Sequence, residues 1–223
     1  MSRPPRLSKS RFTYGLQCHK YLWWRVHDAK APELRPDALT RSHFERGHRV
    51  GEAARGHLPG GHLIPYDGRQ RKKAVEATRE AIDGGKKRIY EAAFEHEDLF
   101  AAIDILEWEE AGWVLVEVKS STSPKPQHVQ DAAVQAWILL QSGQPLSRVE
   151  VMHLDRDCIF PDLSNLFARK DVTREVESFL PQVAGEVSAQ KAMLAGSLPS
   201  VEPGDHCETP YPCPFFALSL IHI

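Results

Sequence analysis

The spacing of apolar and polar positions changes several times along the chain, and each change marks an element. After Ser8, a good helix N-cap, Phe12, Leu16 and Tyr21 or Trp23 recur at helical spacing, which predicts one helix to about Arg25. Ala31–Pro36 reads as a proline-broken loop. A second helix is predicted from Asp37 or Ala38 to Gly56, ending in Leu58-Pro59-Gly60-Gly61. A short strand, His62–Pro65, precedes an amphipathic helix over Arg69–Asp83 that Gly84-Gly85 stops. Three strands then follow closely: Arg88–Glu95, Leu99–Trp108 and Trp113–Lys119, with turns at His96-Glu97-Asp98 and Glu109-Glu110-Ala111-Gly112. Beyond the polar loop Ser120–Pro126, a helix is predicted over Gln127–Ser142 and a strand over Arg148–Leu154. A helix over Asp171–Leu194, broken near Pro181, leads into the cysteine-bearing loop Ala195–Pro214. Helix, antiparallel meander, helix and strand in that order describe an α/β domain with a mixed central sheet.

Two of these strands break their own pattern. Ala101-Ala102-Ile103-Asp104-Ile105-Leu106 and Val114-Leu115-Val116-Glu117-Val118-Lys119 are apolar runs interrupted by Asp104, Glu117 and Lys119. A buried charge costs several kcal/mol unless it is paired or binds a metal. If Glu109 lies opposite Gly112, Trp108 faces Trp113 and Asp104 faces Glu117, with Lys119 on the same face as Glu117. Directly opposed residues have Cβ atoms roughly 4.5–5.5 Å apart. Two carboxylates at that separation repel each other, and a divalent cation between them turns repulsion into binding. An Asp–Lys–Glu salt-bridge cluster is the alternative. The adjoining polar loop Ser120-Ser121-Thr122-Ser123 favours an open site. Oxygen ligands suit Mg²⁺ or Mn²⁺, and a lysine beside a metal-bound water points to phosphodiester hydrolysis.

Composition limits the alternatives. The chain has 223 residues, 42% hydrophobic and 26% charged, enough apolar residues for a folded core of one ordinary domain. Neither a membrane-length apolar run nor a secretory leader is visible, and four cysteines are too few for a disulfide scaffold, which together predict a soluble, cytoplasmic protein. The net charge is −2, yet residues 1–30 carry seven Lys or Arg against the single acid Asp28, interleaved with Phe12, Tyr14, Tyr21, Trp23 and Trp24. Cations among aromatic faces suit a nucleic-acid strand, and equally a basic helix whose aromatics face the core. Lys9, Arg11 and Lys125 are the candidate nucleic-acid contacts. No Walker or Gly-x-Ser-x-Gly motif is present.

These residues carry a resemblance. Ile103-Asp104-Ile105 followed by Glu117-Val118-Lys119 resembles the PD-(D/E)XK nuclease signature, and Gln135 on the next helix fits the glutamine motif of its RecB-like branch. Leu7-Ser8-Lys9-Ser10-Arg11-Phe12 with Gly15-Leu16-Gln17-Cys18 is similar to the opening of the RecB-like, CRISPR-associated (Cas-four-like) iron–sulfur nucleases and their stand-alone bacterial relatives. Gly47-His48-Arg49-Val50-Gly51-Glu52 and Cys207-x5-Cys213-Pro214-Phe215 match further motifs of that group, so the likeness spans roughly residues 7–216.

The resemblance implies a restriction-endonuclease-like core over residues 1–216 and metal-dependent cleavage of DNA, commonly exonucleolytic on single strands. It makes Asp104, Glu117 and the Val118 carbonyl ligands of Mg²⁺ or Mn²⁺, Lys119 the catalytic lysine, and Gln135 a support of the site or a DNA contact. Relatives place a metal-binding histidine at the position of Gly51. His48, one helical turn earlier, is the candidate here. The resemblance also implies a 4Fe–4S cluster on Cys18, Cys207 and Cys213, with a fourth cysteine expected just past Cys213. The tail 217–223 has no counterpart and suggests an early end to the reading frame, while His222 is a conceivable fourth ligand and Cys158 a buried apolar thiol. A DNA-binding module without cleavage, stapled by its metal–sulfur site, is the alternative function.

Overall fold

The computed structural model describes the backbone of residues 6–66 and 68–221, and all their side chains except those of 220 and 221. His222, the fourth-ligand candidate, therefore lies outside the described residues, as does one of the seven N-terminal cations, Arg3. The chain begins with β1 (Leu7–Ser8), α1 (Lys9–Gln17), α2 (His19–His27), α3 (Ala38–His57), β2 (His62–Leu63) and α4 (Arg71–Asp83). It continues through β3 (Arg88–His96), β4 (Leu99–Glu109), β5 (Gly112–Lys119), α5 (Pro126–Gln141), β6 (Leu146–Leu154), β7 (Phe167–Asp171), α6 (Thr173–Ala195) and α7 (Phe216–Ile221). Among the described residues, no helix is long and apolar enough to cross a membrane.

The strands form one mixed sheet in the order β2-β3-β4-β5-β6-β7, with β1 joined to β4 off this path. β3, β4 and β5 are the antiparallel meander, and β5 and β6 run parallel across the α5 crossover. The expected register holds: Glu109 pairs with Gly112, Trp108 with Trp113, and so on to Ile105 with Val116. The two indoles meet edge to face, 5.0 Å apart. Helices α5 and α6 cover one face over a core that includes Leu106, Leu115, Val134, Ile138, Val151 and Val183.

Gly112 anchors this register. Its φ is +134°, and a Cβ there would sit 2.9 Å from the Pro145 carbonyl oxygen. Gly112→Ala is expected to cost about 2–3 kcal/mol, lowering Tm by roughly 5–10 °C in a melting curve.

Several elements differ from the sequence expectation, the short strand β1 among them. The first helix is two helices, because Cys18 is extended (φ −165°, ψ 124°) between α1 and α2. Ser8 still caps the start, accepting from the Arg11 N–H. Helix α6 runs through Pro181 unbroken. A proline removes one hydrogen bond, and the buried positions Val176, Val183, Val187, Gln190 and Leu194 form one stripe on both sides of it. Strand β7, antiparallel to β6, carries only Phe167 and Ala168 as apolar residues, too weak a pattern to read. The terminal segment, read as an unmatched tail, forms α7, whose Leu218 packs with Tyr21 and Phe215.

One irregularity shapes everything near the acids. Regular pairing of β4 with β5 stops at Ile105 and Val116, and β1 pairs instead with the far end of β4, Leu7 to Leu99 and Ser8 to Phe100. β3 already occupies the other edge of β4, so β1 enters on the side that β5 has left. Arg71 fastens β1 by donating to the Leu7 carbonyl at 3.2 Å while lying over the Phe100 ring.

Candidate active site

Three carboxylates come from neighbouring strands of the meander, each where the regular ladder is interrupted. Tyr90 pairs with Ile105 and Ala92 with Ile103, which sets Glu91 opposite Asp104. Asp104 and Glu117 are the next residues on β4 and β5, just beyond the last regular pair of Ile105 with Val116. Glu91 holds a left-handed backbone (φ 55°), a strained conformation for a residue with a side chain. Asp104 accepts the Val118 N–H at 2.7 Å, so its carboxylate takes the place of a ladder bond where the strands part.

Glu117 is 1% exposed and is gripped from three sides. Lys9 Nζ lies 3.0 and 3.2 Å from its two oxygens, Lys119 Nζ is 2.8 Å from Oε1, and Gln135 Nε2 donates to Oε2 at 2.6 Å. Burial would raise the Glu117 pKa, but the Lys119 and Lys9 ammonium groups outweigh it and hold the carboxyl well below its usual range. Burial likewise opposes the charge on Lys119 and Lys9. The facing carboxylates, Glu117 foremost, keep both protonated, with pKa values above the ordinary lysine value. Asp104 shows the opposite balance. Burial and the Glu117 charge push it up to about 7. Burial also raises Glu91, against the pull of Arg55, whose guanidinium is 3.1 Å away.

The residues expected in the site therefore meet, with additions. Asp104, Glu117 and Lys119 converge, and Gln135 is fully buried as the brace of Glu117. Lys9, expected as a DNA contact, lies at this centre, paired with Glu117. Asp131 and His128 are new. Asp131 accepts from Lys119, and the buried His128 takes the Lys125 backbone N–H on Nδ1 at 3.2 Å. Burial and the Lys119 charge push His128 down to about 4, so it stays neutral at neutral pH. Asp131 could have been noticed one helical turn before Gln135; Lys9, 108 positions from Glu117, could not. His48 is exposed on α3, two turns from Arg55 on the same helix face, and its charge bears on Glu91, whose own charge bears on Asp104. Arg11 donates to the Arg6 carbonyl at 2.7 Å, and Lys125 is exposed at the start of α5.

The donor set suits a hard dication. Asp104 and Glu117 offer carboxylate oxygens, repulsion between them is left over on Asp104, and the buried Gln135 Oε1 has no hydrogen-bond partner. Among the described residues, no group of three or more His, Cys, Asp or Glu side chains is placed to hold a metal ion. The protein would thus contribute two carboxylates and leave other positions to backbone, water and substrate, the usual habit of Mg²⁺.

The cysteines form a separate group. Cys18, Cys207 and Cys213 line one small cavity with Tyr21, Trp24, His206 and Phe215. The Cys213 N–H donates to the Cys207 carbonyl at 2.7 Å, and burial and the two other thiols push the Cys213 thiol up. Cys158 is elsewhere and half-exposed, its thiol donating to the Asp162 carbonyl, which corrects the buried reading.

The fold occurs in a solved protein. The alkaline exonuclease of Laribacter hongkongensis superposes with a TM-score of 0.51 at 14% identity, over 86% of this chain and 89% of that one. The same exonuclease in complex with dAMP gives 0.47 at 13% identity, over 85% and 90%. No known family profile matches the sequence, and no curated protein does. The architecture is the expected α/β one, a mixed central sheet with an antiparallel meander flanked by helices.

Proposed function

We propose that this chain is a dication-dependent DNA nuclease that hydrolyses phosphodiester bonds, acting as an exonuclease on single-stranded ends. The observation that carries this reading is the convergence of Asp104, Glu117 and Lys119 where β4 and β5 part. A fold shared with an exonuclease supports it. Asp104 and Glu117, with the Val118 carbonyl, would hold Mg²⁺ or Mn²⁺, which when bound supplies a water of lowered pKa and a polarised phosphoryl oxygen.

The remaining work falls to the chain. Lys119 is protonated and fixed between Glu117 and Asp131, so it acts as a donor and not as a base. It orients the attacking water and balances charge growing on the phosphate. Gln135 holds Glu117 through Oε2 and is itself held by the Asp131 carbonyl at 2.9 Å. Buried around these groups, the apolar meander keeps bulk water from screening them.

A second proposal concerns Cys18, Cys207 and Cys213. They line one cavity and are three of the four thiolates of the 4Fe–4S cluster that the resemblance implies, which would tie the α1–α2 junction to the C-terminal segment, although among the described residues they are not placed to form a metal site.

Incubation of end-labelled single-stranded DNA with Mn²⁺ tests the nuclease reading. Wild type is expected to release label, and Glu117→Ala to lose cleavage by at least about a hundredfold. Equal cleavage by both would refute the assignment. Salt-sensitive DNA binding without cleavage under any dication would select the non-catalytic DNA-binding module.

A further inference from the structure

Resting on the metal-centre reading above, we propose that Lys9 is a tethered counter-cation that holds the place of the dication on Glu117 and gives it up when the dication binds. The acceptor sites of Glu117 carry the argument. Oε1 accepts Lys9 and Lys119, and Oε2 accepts Lys9 and Gln135. An ionised carboxylate offers about four lone-pair sites, so Glu117 is saturated. A metal–oxygen bond to it displaces one of these donors.

The donors differ in how firmly they are held. Lys119 has a second acid, Asp131. Gln135 is fully buried and donates also to the Asp131 carbonyl. The Lys9 ammonium hydrogen-bonds Glu117 and is drawn to the Asp104 charge without a hydrogen bond to that second acid, and its side chain is 22% exposed, much as that of Lys119 at 20%. Its backbone, by contrast, is anchored: Ser8 pairs with Phe100, Ser8 Oγ caps α1, and Arg71 clamps Leu7. A fixed Cα with a flexible four-carbon stem lets the ammonium swing while the helix stays.

Two consequences follow from the charges. Without a dication, Lys9 compensates part of the Asp104–Glu117 repulsion and stabilises the fold. With one, like charges push the ammonium out of the cleft between β4 and β5, where a substrate phosphate offers it a new anionic partner. Lys9 thereby weakens dication binding to the free protein and returns that cost when substrate arrives.

Mn²⁺ alone is the probe, its unbound fraction read by electron paramagnetic resonance on the full chain. Lys9→Met is expected to bind Mn²⁺ at least about tenfold more tightly than wild type, because a repelling unit charge is gone. Lys9→Arg, which keeps the charge, is expected to bind within about threefold of wild type. In EDTA the Lys9→Met protein is expected to melt below wild type and to gain more from added Mn²⁺. Lys9→Met affinity equal to or weaker than wild type, with native far-UV circular dichroism, overturns the proposal. If the methionine variant does not fold, Lys9→Gln carries the same expectation and the same overturning result. Glu117→Gln separates the two readings. Mn²⁺ binding that survives Glu117→Gln refutes the metal centre itself, whereas an unchanged Lys9→Met affinity with a sensitive Glu117→Gln refutes only the role of Lys9.

Discussion

Lys119→Met is expected to lower phosphodiester cleavage by roughly a hundred- to a thousandfold, while Mn²⁺ binding stays at least as tight as in wild type. The ammonium sits on Glu117 and Asp131 and remains protonated, so it contributes a positioned donor and a positive charge. Its removal deletes stabilisation of the transition state but no oxygen ligand. Glu117 keeps Lys9 and Gln135, and Asp131 is partly exposed, so water can take over its lost partner. The fold should survive, and the variant should show the wild-type dependence on Mn²⁺ with a depressed kcat. Parallel losses of Mn²⁺ affinity and rate would mean that Lys119 shapes the site rather than acting on substrate.

Asp104→Asn is expected to act on stability as strongly as Lys119→Met acts on rate. Burial and the Glu117 charge push the Asp104 carboxyl up to about 7 in the folded chain, whereas an unfolded chain titrates near ~3.9. Between those values the folded state holds more protons than the unfolded state. Stability is therefore lost as pH rises through that window, and the full cost is felt above about pH 7. Asparagine removes the charge and keeps an acceptor for the Val118 N–H. At pH 8 the variant should be more stable by on the order of 2–4 kcal/mol, a Tm rise of roughly 5–15 °C, shrinking towards zero near pH 4. Cleavage should be lost at every pH. In wild type, Mn²⁺ should supply the same relief and raise Tm at pH 8, a gain the variant lacks. A Tm difference that does not change with pH would show that Asp104 carries no charge in this setting.

The two expectations draw on different depths of information. The acid pair and Lys119 were legible because a charge inside an apolar strand run violates the local pattern and has to be explained by function. The turn from Glu109 to Gly112 then made the cross-strand register a matter of counting, confirmed as far as Ile105 and Val116. Gln135 came from the resemblance, and the structure gives it a physical task, bracing Glu117. By contrast, the break at Cys18 offers no glycine or proline, and continuity through Pro181 defies the usual breaker rule. Both are settled by packing: Phe12, Tyr21 and Leu22 are buried on either side of the break, and α6 keeps one buried stripe along its length.

Periodicity, caps and turns act over a few residues, so the amino-acid sequence by itself determined most of the helices and strands, though not β1, β7, α7 or the break at Cys18, together with the meander and its register as far as Ile105 and Val116. Tertiary structure alone decided who joins Asp104, Glu117 and Lys119. Lys9 reaches Glu117 only because β5 parts from β4 at Asp104 and β1 fills the vacated edge, and Lys119 finds Asp131 only because α5 folds back over the sheet. Such contacts link residues far apart in the chain, and their strength comes from removal of water around the assembled charges, which no local pattern of residues encodes.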